Sequence, residues 1–224
     1  MDVKDGPSGR RSAKGTARGT YAVGDERRAR ILDAAVEHFA QWGYHATSLA
    51  RIAKDVGITQ GGLLHHFRTK EALLVSVLEA SDERDIEQFF GEDHASVADW
   101  IQGLLALTEL NSRRPARTRL FNALAGEAGD PDHPAHDFFT RRYRTLVADV
   151  AQSLRHGVDS GELRPGTDCE SEAQQLLAVM DGLQLQWVLA PQAMDMPQRL
   201  HAYLDRLYRT LSVNGAGIPL RRPE

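Results

Sequence analysis

The sequence predicts an all-α fold of about nine helices, in which a three-helix N-terminal unit with a helix-turn-helix is followed by a larger helical body. Three observations predict it. Apolar residues recur every three or four positions through most of the chain, the period of an amphipathic helix. Glycine and proline fall between these runs, and no segment alternates convincingly as a strand. A 42% hydrophobic fraction over 224 residues suffices to pack one large or two modest domains.

Residues 1–24 are rich in Gly, Ser, Lys and Arg with almost no apolar side chains, so they are expected to be disordered. Arg10, Arg11, Lys14 and Arg18 make them a candidate basic arm along a phosphate backbone or minor groove. Asp25 can cap a first helix running to about Trp42. Ile31, Leu32, Ala35, Val36 and Phe39 form its buried stripe, and Gly43 stops it. The next helix carries Leu49, Ile52, Ala53 and Val56 on one face, with a hydroxyl of Thr47 or Ser48 available as its cap. Gly57 can end it in the left-handed conformation.

Thr59 is placed to start a third helix. On a wheel at about 100° per residue, Leu63 and Phe67 point inward, while Gly61, Gly62 and His65 point outward and Leu64 and His66 flank them. Each interior glycine costs about 1 kcal/mol relative to alanine, so packing of Leu63 and Phe67 must hold this helix in place. The outward face is nearly bare backbone plus an imidazole, which suits close approach to another surface. Two short helices across a glycine turn are the helix-turn-helix arrangement, whose second helix enters the DNA major groove. Residues 46–73 therefore point to nucleic acid as a partner.

Beyond Thr69, Leu73, Leu74, Val77 and Leu78 continue a long helix to about Phe90, with Gly91 at its end; it is the natural mechanical link between head and body. Val97, Trp100, Ile101, Leu104, Leu105 and Leu107 mark a helix to about Asn111. Pro115 opens another, ending by Gly126 or Gly129. After the turn at 130–134, Phe138, Phe139, Tyr143, Leu146, Val147, Val150 and Leu154 mark the next, stopping near Gly157 to Gly161. Thr167 and Glu170 have capping-box spacing and open a helix to about Ala190. Pro197 opens the last, to about Val213, followed by a tail over 214–224.

Charge is distributed unevenly. Residues 1–70 carry 12 Lys and Arg against 7 Asp and Glu, or +5, and the remainder carries 15 against 24, or −9. Cationic charge thus sits with the proposed reading head, where phosphates need it. The single cysteine, Cys169, forms no intrachain disulfide, and neither a signal peptide pattern nor an apolar run near 18 residues is present. A cytoplasmic protein with no membrane partner is expected.

The pattern Thr47-Ser48-Leu49, Ile52-Ala53, Val56-Gly57-Ile58-Thr59, Gly61, Leu63, His66-Phe67, Lys70-Glu71 and Leu73 resembles the DNA-binding domain of the TetR family of bacterial transcriptional regulators. The resemblance covers roughly residues 25–73. It implies a homodimer that binds a palindromic operator, usually as a repressor, and is released by a small effector held in the larger domain. On this resemblance the chain divides into an arm (1–24), a DNA-binding domain (25–73), an effector-binding and dimerisation domain (74–213) and the tail.

Carried over by position, Thr47 and Ser48 open the first short helix with Thr47 on a phosphate. Thr59, Gln60, Gly61, Gly62 and His65 face base edges, and His66 and Lys70 reach phosphates. Leu64 stands where the family usually has tyrosine, which removes a hydroxyl for the DNA backbone. Since Gly62 has no side chain, Gln60 and His65 are expected to supply most of the direct readout.

In the body, Trp100, Leu104, Phe121, Phe138, Tyr143, Met180, Gln184 and Trp187 combine aromatic, thioether and polar groups in the manner of a pocket lining. Asn122 and Arg142 add further polar groups. Leu176, Met180, Leu183 and Trp187, with Leu200, Tyr203, Leu204 and Leu207 of the last helix, give two apolar faces suited to a four-helix dimer interface. Gly182 allows close approach there. His65-His66 and the His133/His136 pair raise metal ligation, and hence a metal-dependent enzyme, as the rival reading. Neither pair has a supporting Cys or carboxylate spacing, and there is no phosphate loop, nucleophile elbow or dinucleotide fingerprint. No cofactor, metal or catalytic residue is expected. A helical ligand- or partner-binding protein without sequence-specific DNA readout is the second alternative.

Overall fold

The computed structural model describes residues 15–90 and 94–218, with side chains from residue 26 onward. Among the described residues there are nine helices: α1 (Gly15–Ala46), α2 (Leu49–Asp55), α3 (Gln60–His66), α4 (Lys70–Phe90), α5 (Val97–Ser112), α6 (Pro115–Glu127), α7 (His136–Asp159), α8 (Cys169–Leu189) and α9 (Met196–Leu211).

The element order is the expected one, and the differences are at the ends. Helix α1 begins at Gly15 rather than near Asp25, so the stretch from 15 to 24 continues a helix instead of lacking structure. Residues 15–24 contain no proline, and extending an existing helix costs far less than nucleating one. Arg10, Arg11 and Lys14 lie outside the described residues. The expected cap at Thr167 is replaced by Asp168, whose carboxylate accepts the Ser171 N–H at 3.1 Å. The Thr167 hydroxyl instead donates to the Arg164 carbonyl. Asp195 caps α9, and Pro197 sits within its first turn, where its missing N–H is no loss.

Two buried clusters organise the molecule. The first joins Ile31, Leu32 and Phe39 of α1, Ile52 of α2, Leu63 of α3 and Leu73, Leu74 and Val77 of α4 to Leu120 and Leu124 of α6 and Phe138 and Phe139 of α7. The buried core therefore continues across the expected boundary at residue 73. The second cluster joins Trp100, Ile101 and Leu104 of α5, Val150 and Leu154 of α7, Ala173 and Leu176 of α8 and Leu200 and Leu204 of α9. Gly157 of α7 is packed so closely that an added Cβ would strike Val97 and meet Leu163 at 2.9 Å.

Glu162 ties three elements of this second cluster. Its carboxylate accepts the Val97 and Ala98 N–H groups, at 2.8 and 3.0 Å, and the Tyr208 hydroxyl at 2.9 Å. It satisfies free donors at the start of α5 while anchoring α9. The tail is also partly packed. Val213 N–H donates to the Glu162 carbonyl, and Ile218 is buried with its N–H on Asp205.

Candidate nucleic-acid interface and internal cavity

The turn between α2 and α3 is built as its residues demand. Gly57 takes φ 73, and Ile58 N–H returns to the Ala53 carbonyl at 2.9 Å. The Thr59 side chain accepts the Gly62 N–H at 3.0 Å and so caps α3. Leu63 and Phe67 are buried at 0% and 3% exposure, while Gln60, Gly61 and His65 are exposed and Gly62, Leu64 and His66 half-buried. Bare backbone and one imidazole thus face outward from a helix held only on its inner side. Arg51, Lys54 and Arg68 are exposed on the same head, where they supply cationic charge. Arg51 lies over the ring of half-exposed Trp42.

Three of the expected contact residues stand differently from the rest. Thr47 is only 4% exposed, and its hydroxyl lies 2.7 Å from the Gly43 carbonyl and 3.0 Å from that of His38. It satisfies carbonyls near the end of α1, and its side chain is turned inward. Ser48 occupies the N-cap position of α2 with extended backbone, but no side-chain bond caps the helix. Lys70 donates to the His45 carbonyl at 3.0 Å and sits 4.7 Å from the Tyr44 ring centroid. Burial pushes its ammonium below the ordinary lysine pKa, against the pull of Glu71. Thr69, the residue before α4, accepts the Ala72 N–H and caps that helix.

Helix α4 runs from this head into the wall of a cavity of about 880 Å³. The lining comes from α4, α5, α6, α7 and α8. Of the expected pocket residues, Trp100, Leu104, Phe121, Met180 and Gln184 line it, as does Arg142. Phe138, Tyr143 and Trp187 do not. Phe138 packs edge-on to Phe139 in the first core, Trp187 is buried at 7%, and Tyr143 stands behind the wall with its hydroxyl on Asp181 at 2.7 Å. Asn122 is likewise outside the lining, its amide donating to the Thr118 carbonyl.

The charged lining was not anticipated from the sequence. Asp85 and Asp82 on α4 pair with Arg117 of α6, at 2.6 Å, and Arg142 of α7, at 2.8 Å. The Arg142 guanidinium also covers the Phe121 ring at 4.6 Å. Asp181 of α8 lines the cavity, and burial pushes its carboxyl above the usual carboxylate range. A signal existed, because Asp181 stands alone among Val179, Met180, Gly182 and Leu183, and a lone carboxylate on an apolar helix needs a reason.

The expected dimer faces are sorted by burial. Leu176, Leu200 and Leu204 are buried within the protomer at 1%, 1% and 0%, so they form core rather than interface. Trp187 is buried too, and Met180 faces the cavity. Leu183, Tyr203 and Leu207 remain half-exposed. Periodicity marks an apolar face but not what covers it. Here α9 spends its stripe on α5 and α8. The histidines at 133 and 136 are engaged in their own turn. His133 Nδ1 accepts the Ala135 N–H, and His136 Nδ1 lies 2.9 Å from the Ala128 carbonyl.

A capped reading helix on a three-helix head, joined by a long helix to a cavity-bearing body, defines a helix-turn-helix transcriptional regulator. Residues 31–77 match the model of bacterial regulatory proteins of the TetR family, and residues 97–209 match that of the BetI-type transcriptional repressor C-terminal region. The chain belongs to the TetR family. It is 31% identical over 156 residues to the transcriptional regulator RutR of Escherichia coli O157:H7, covering 69% of this chain and 72% of that one. It is 29% identical over 167 residues to the regulator SrpR of Pseudomonas putida, covering 75% and 78%. Among solved structures, the SmeT–triclosan complex, SmeT being a Stenotrophomonas maltophilia repressor, shares the fold with a TM-score of 0.76 at 22% identity, covering 89% of this chain and all of that one. No described helix is long and apolar enough to cross a membrane.

Proposed function

We propose that this regulator binds a palindromic operator as a homodimer, reads it with α3, and lets go when a small molecule fills the body cavity. The observation that carries the reading is the course of α4. It starts beside α3 and ends in the cavity wall, and from Lys70 to Asp85 it spans about 22 Å at 1.5 Å per residue. A ligand that favours one setting of α4 then changes the spacing of two heads, and weakens operator binding by its differential affinity, typically about 1–3 kcal/mol.

Gln60 and His65 carry the base readout, with the backbone of Gly61 and Gly62 against the groove. Ser48, His66 and the exposed head cations serve phosphates. The dimer stripe runs along the outer face of α8. Ala178, Leu185 and Leu189 are exposed there, and an added Cβ at Gly182 would meet open space. Half-exposed Tyr203 and Leu207 lie on the neighbouring helix α9.

In vitro selection of bound duplex from a random pool tests the reading. The expected product is a palindrome whose preference relaxes in Gln60→Ala and His65→Ala. Selection of no duplex at low ionic strength, or unchanged preference in both variants, overturns it.

A further inference from the structure

We propose, building on the ligand-responsive reading above, that the cavity takes a bulky organic cation, its charge facing Asp149 and Asp181 and its apolar body against Trp100 and Phe90. The sign follows from the charges on the wall. Among the described residues, five carboxylates and three guanidiniums line the cavity. Asp85 and Asp82 are already matched by Arg117 and Arg142. Arg155 and Asp159 lie one helical turn apart on α7 with no ion pair between them among the described residues, and their opposite charges cancel in the sum. Asp149 and Asp181 remain.

The Asp149 carboxylate has no ion-pair or hydrogen-bond partner among the described residues, and that of Asp181 holds only the Tyr143 hydroxyl, at 2.7 Å. Burial raises the pKa of both, against the pull of the Tyr143 hydroxyl and Arg142 in the case of Asp181, and Asp149 is an exposed residue of the lining. An anionic ligand would meet these two unmatched charges. To use Arg117 it would also have to break a two-pronged bond to Asp85, at 3.2 and 2.6 Å. A cation has neither obstacle.

The walls suit the same ligand. Trp100 and Phe90 both line the cavity, their ring centroids 6.4 Å apart, and aromatic faces attract organic cations. The Phe121 face is already taken by Arg142. His94 lines the cavity with Nε2 buried and without a partner, a polar atom that a bound molecule can satisfy. Size decides the word bulky. The cavity volume of about 880 Å³ is near the upper end of ligand pockets, and a small ammonium would leave most of it unfilled.

Calorimetric titration of the full chain with tetraphenylphosphonium, tetraphenylborate and tetramethylammonium tests the inference, because the first two share size and shape and differ in sign. Tetraphenylphosphonium should bind at least tenfold more tightly than either of the others. Asp149→Asn and Asp181→Asn should each weaken it by roughly tenfold, and the double variant should narrow the gap to the borate. Circular dichroism confirms folding, and the amide oxygen introduced by Asp181→Asn still accepts the Tyr143 hydroxyl. No binding of the phosphonium, equal or tighter binding of the borate or of tetramethylammonium, or indifference to both substitutions overturns the inference. The duplex selection on the same preparations separates the two readings. A palindrome with a borate preference leaves the regulator reading standing and this one fallen. Asp-dependent phosphonium binding with no selected duplex does the reverse.

Discussion

Arg117 on α6 grips Asp85 on α4 through both of its terminal nitrogens, at 3.2 and 2.6 Å, and also reaches the Ser81 carbonyl at 3.2 Å. Both side chains are about four-fifths buried. This pair and its neighbour Asp82–Arg142 fasten the lever helix to the body across the cavity rim. Removing one partner leaves a charge without compensation. Arg117→Ala should lower unfolding free energy by about 2 kcal/mol, the buried-pair cost reduced for partial exposure. Asp85→Asn should do so less. Chemical denaturation checks both, and equal stability of all three proteins would refute a fastening role.

The third helix should show opposite signs for stability and binding. A Cβ at position 61 meets only the Thr59 hydroxyl oxygen, at an ordinary 3.9 Å. Gly61→Ala should therefore stabilise the protein by up to about 1 kcal/mol. It should weaken operator binding, because the methyl stands on the face proposed to approach the groove. Thermal denaturation and gel-shift titration measure the two effects, and an unimpaired affinity would remove the close-approach argument.

Two tyrosines predict the alkaline limit. Burial, then the hydrogen bond to Glu162, pushes the Tyr208 pKa up to about 12 from the ordinary 10. Burial, then Glu71, pushes Tyr44 to about 12 as well. The folded state holds the proton more tightly, so the stabilisation is full below pH 10 and is lost as pH rises through about 12. Denaturation midpoints should fall across this window, and fall less in a Tyr44→Phe/Tyr208→Phe protein. Parallel curves for the two proteins would contradict the assignment.

Asp181 should trade stability for function. Its folded pKa is raised by burial, so its stabilising contribution is full below the unfolded carboxylate value and is lost as pH rises through the folded one. Asp181→Asn keeps the shape and the Tyr143 bond while removing the buried charge. It should raise the melting temperature at pH 7, with the gain vanishing on acidification. A lower melting temperature at pH 7 would show that the charge is better compensated than its surroundings indicate.

The proposed dimer stripe makes a separate demand. Leu185 is 50% exposed and Leu189 76%, so an acidic residue there costs the isolated protomer little. Leu189→Asp should convert the protein to monomers by light scattering and abolish high-affinity operator binding, since half-site spacing follows from two-fold symmetry. A dimer unaffected by both Leu185→Asp and Leu189→Asp would place the interface elsewhere.

The reading head was written locally. Gly57 must turn left-handed, Thr59 must cap, and Leu63 and Phe67 must point the same way, because each requirement involves residues within a few positions of one another. The nine helices among the described residues follow from the same short-range periodicity. Tertiary structure decided what each apolar face is buried against and which charges meet. It turned Leu200 and Leu204 into core, drew the Thr47 hydroxyl inward, and sent Phe138 into the first cluster rather than the cavity. It also brought Asp85 to Arg117 across 32 positions of sequence. Helical period records that a side chain is covered and on which face, but the covering partner is set by long-range packing that no local window contains.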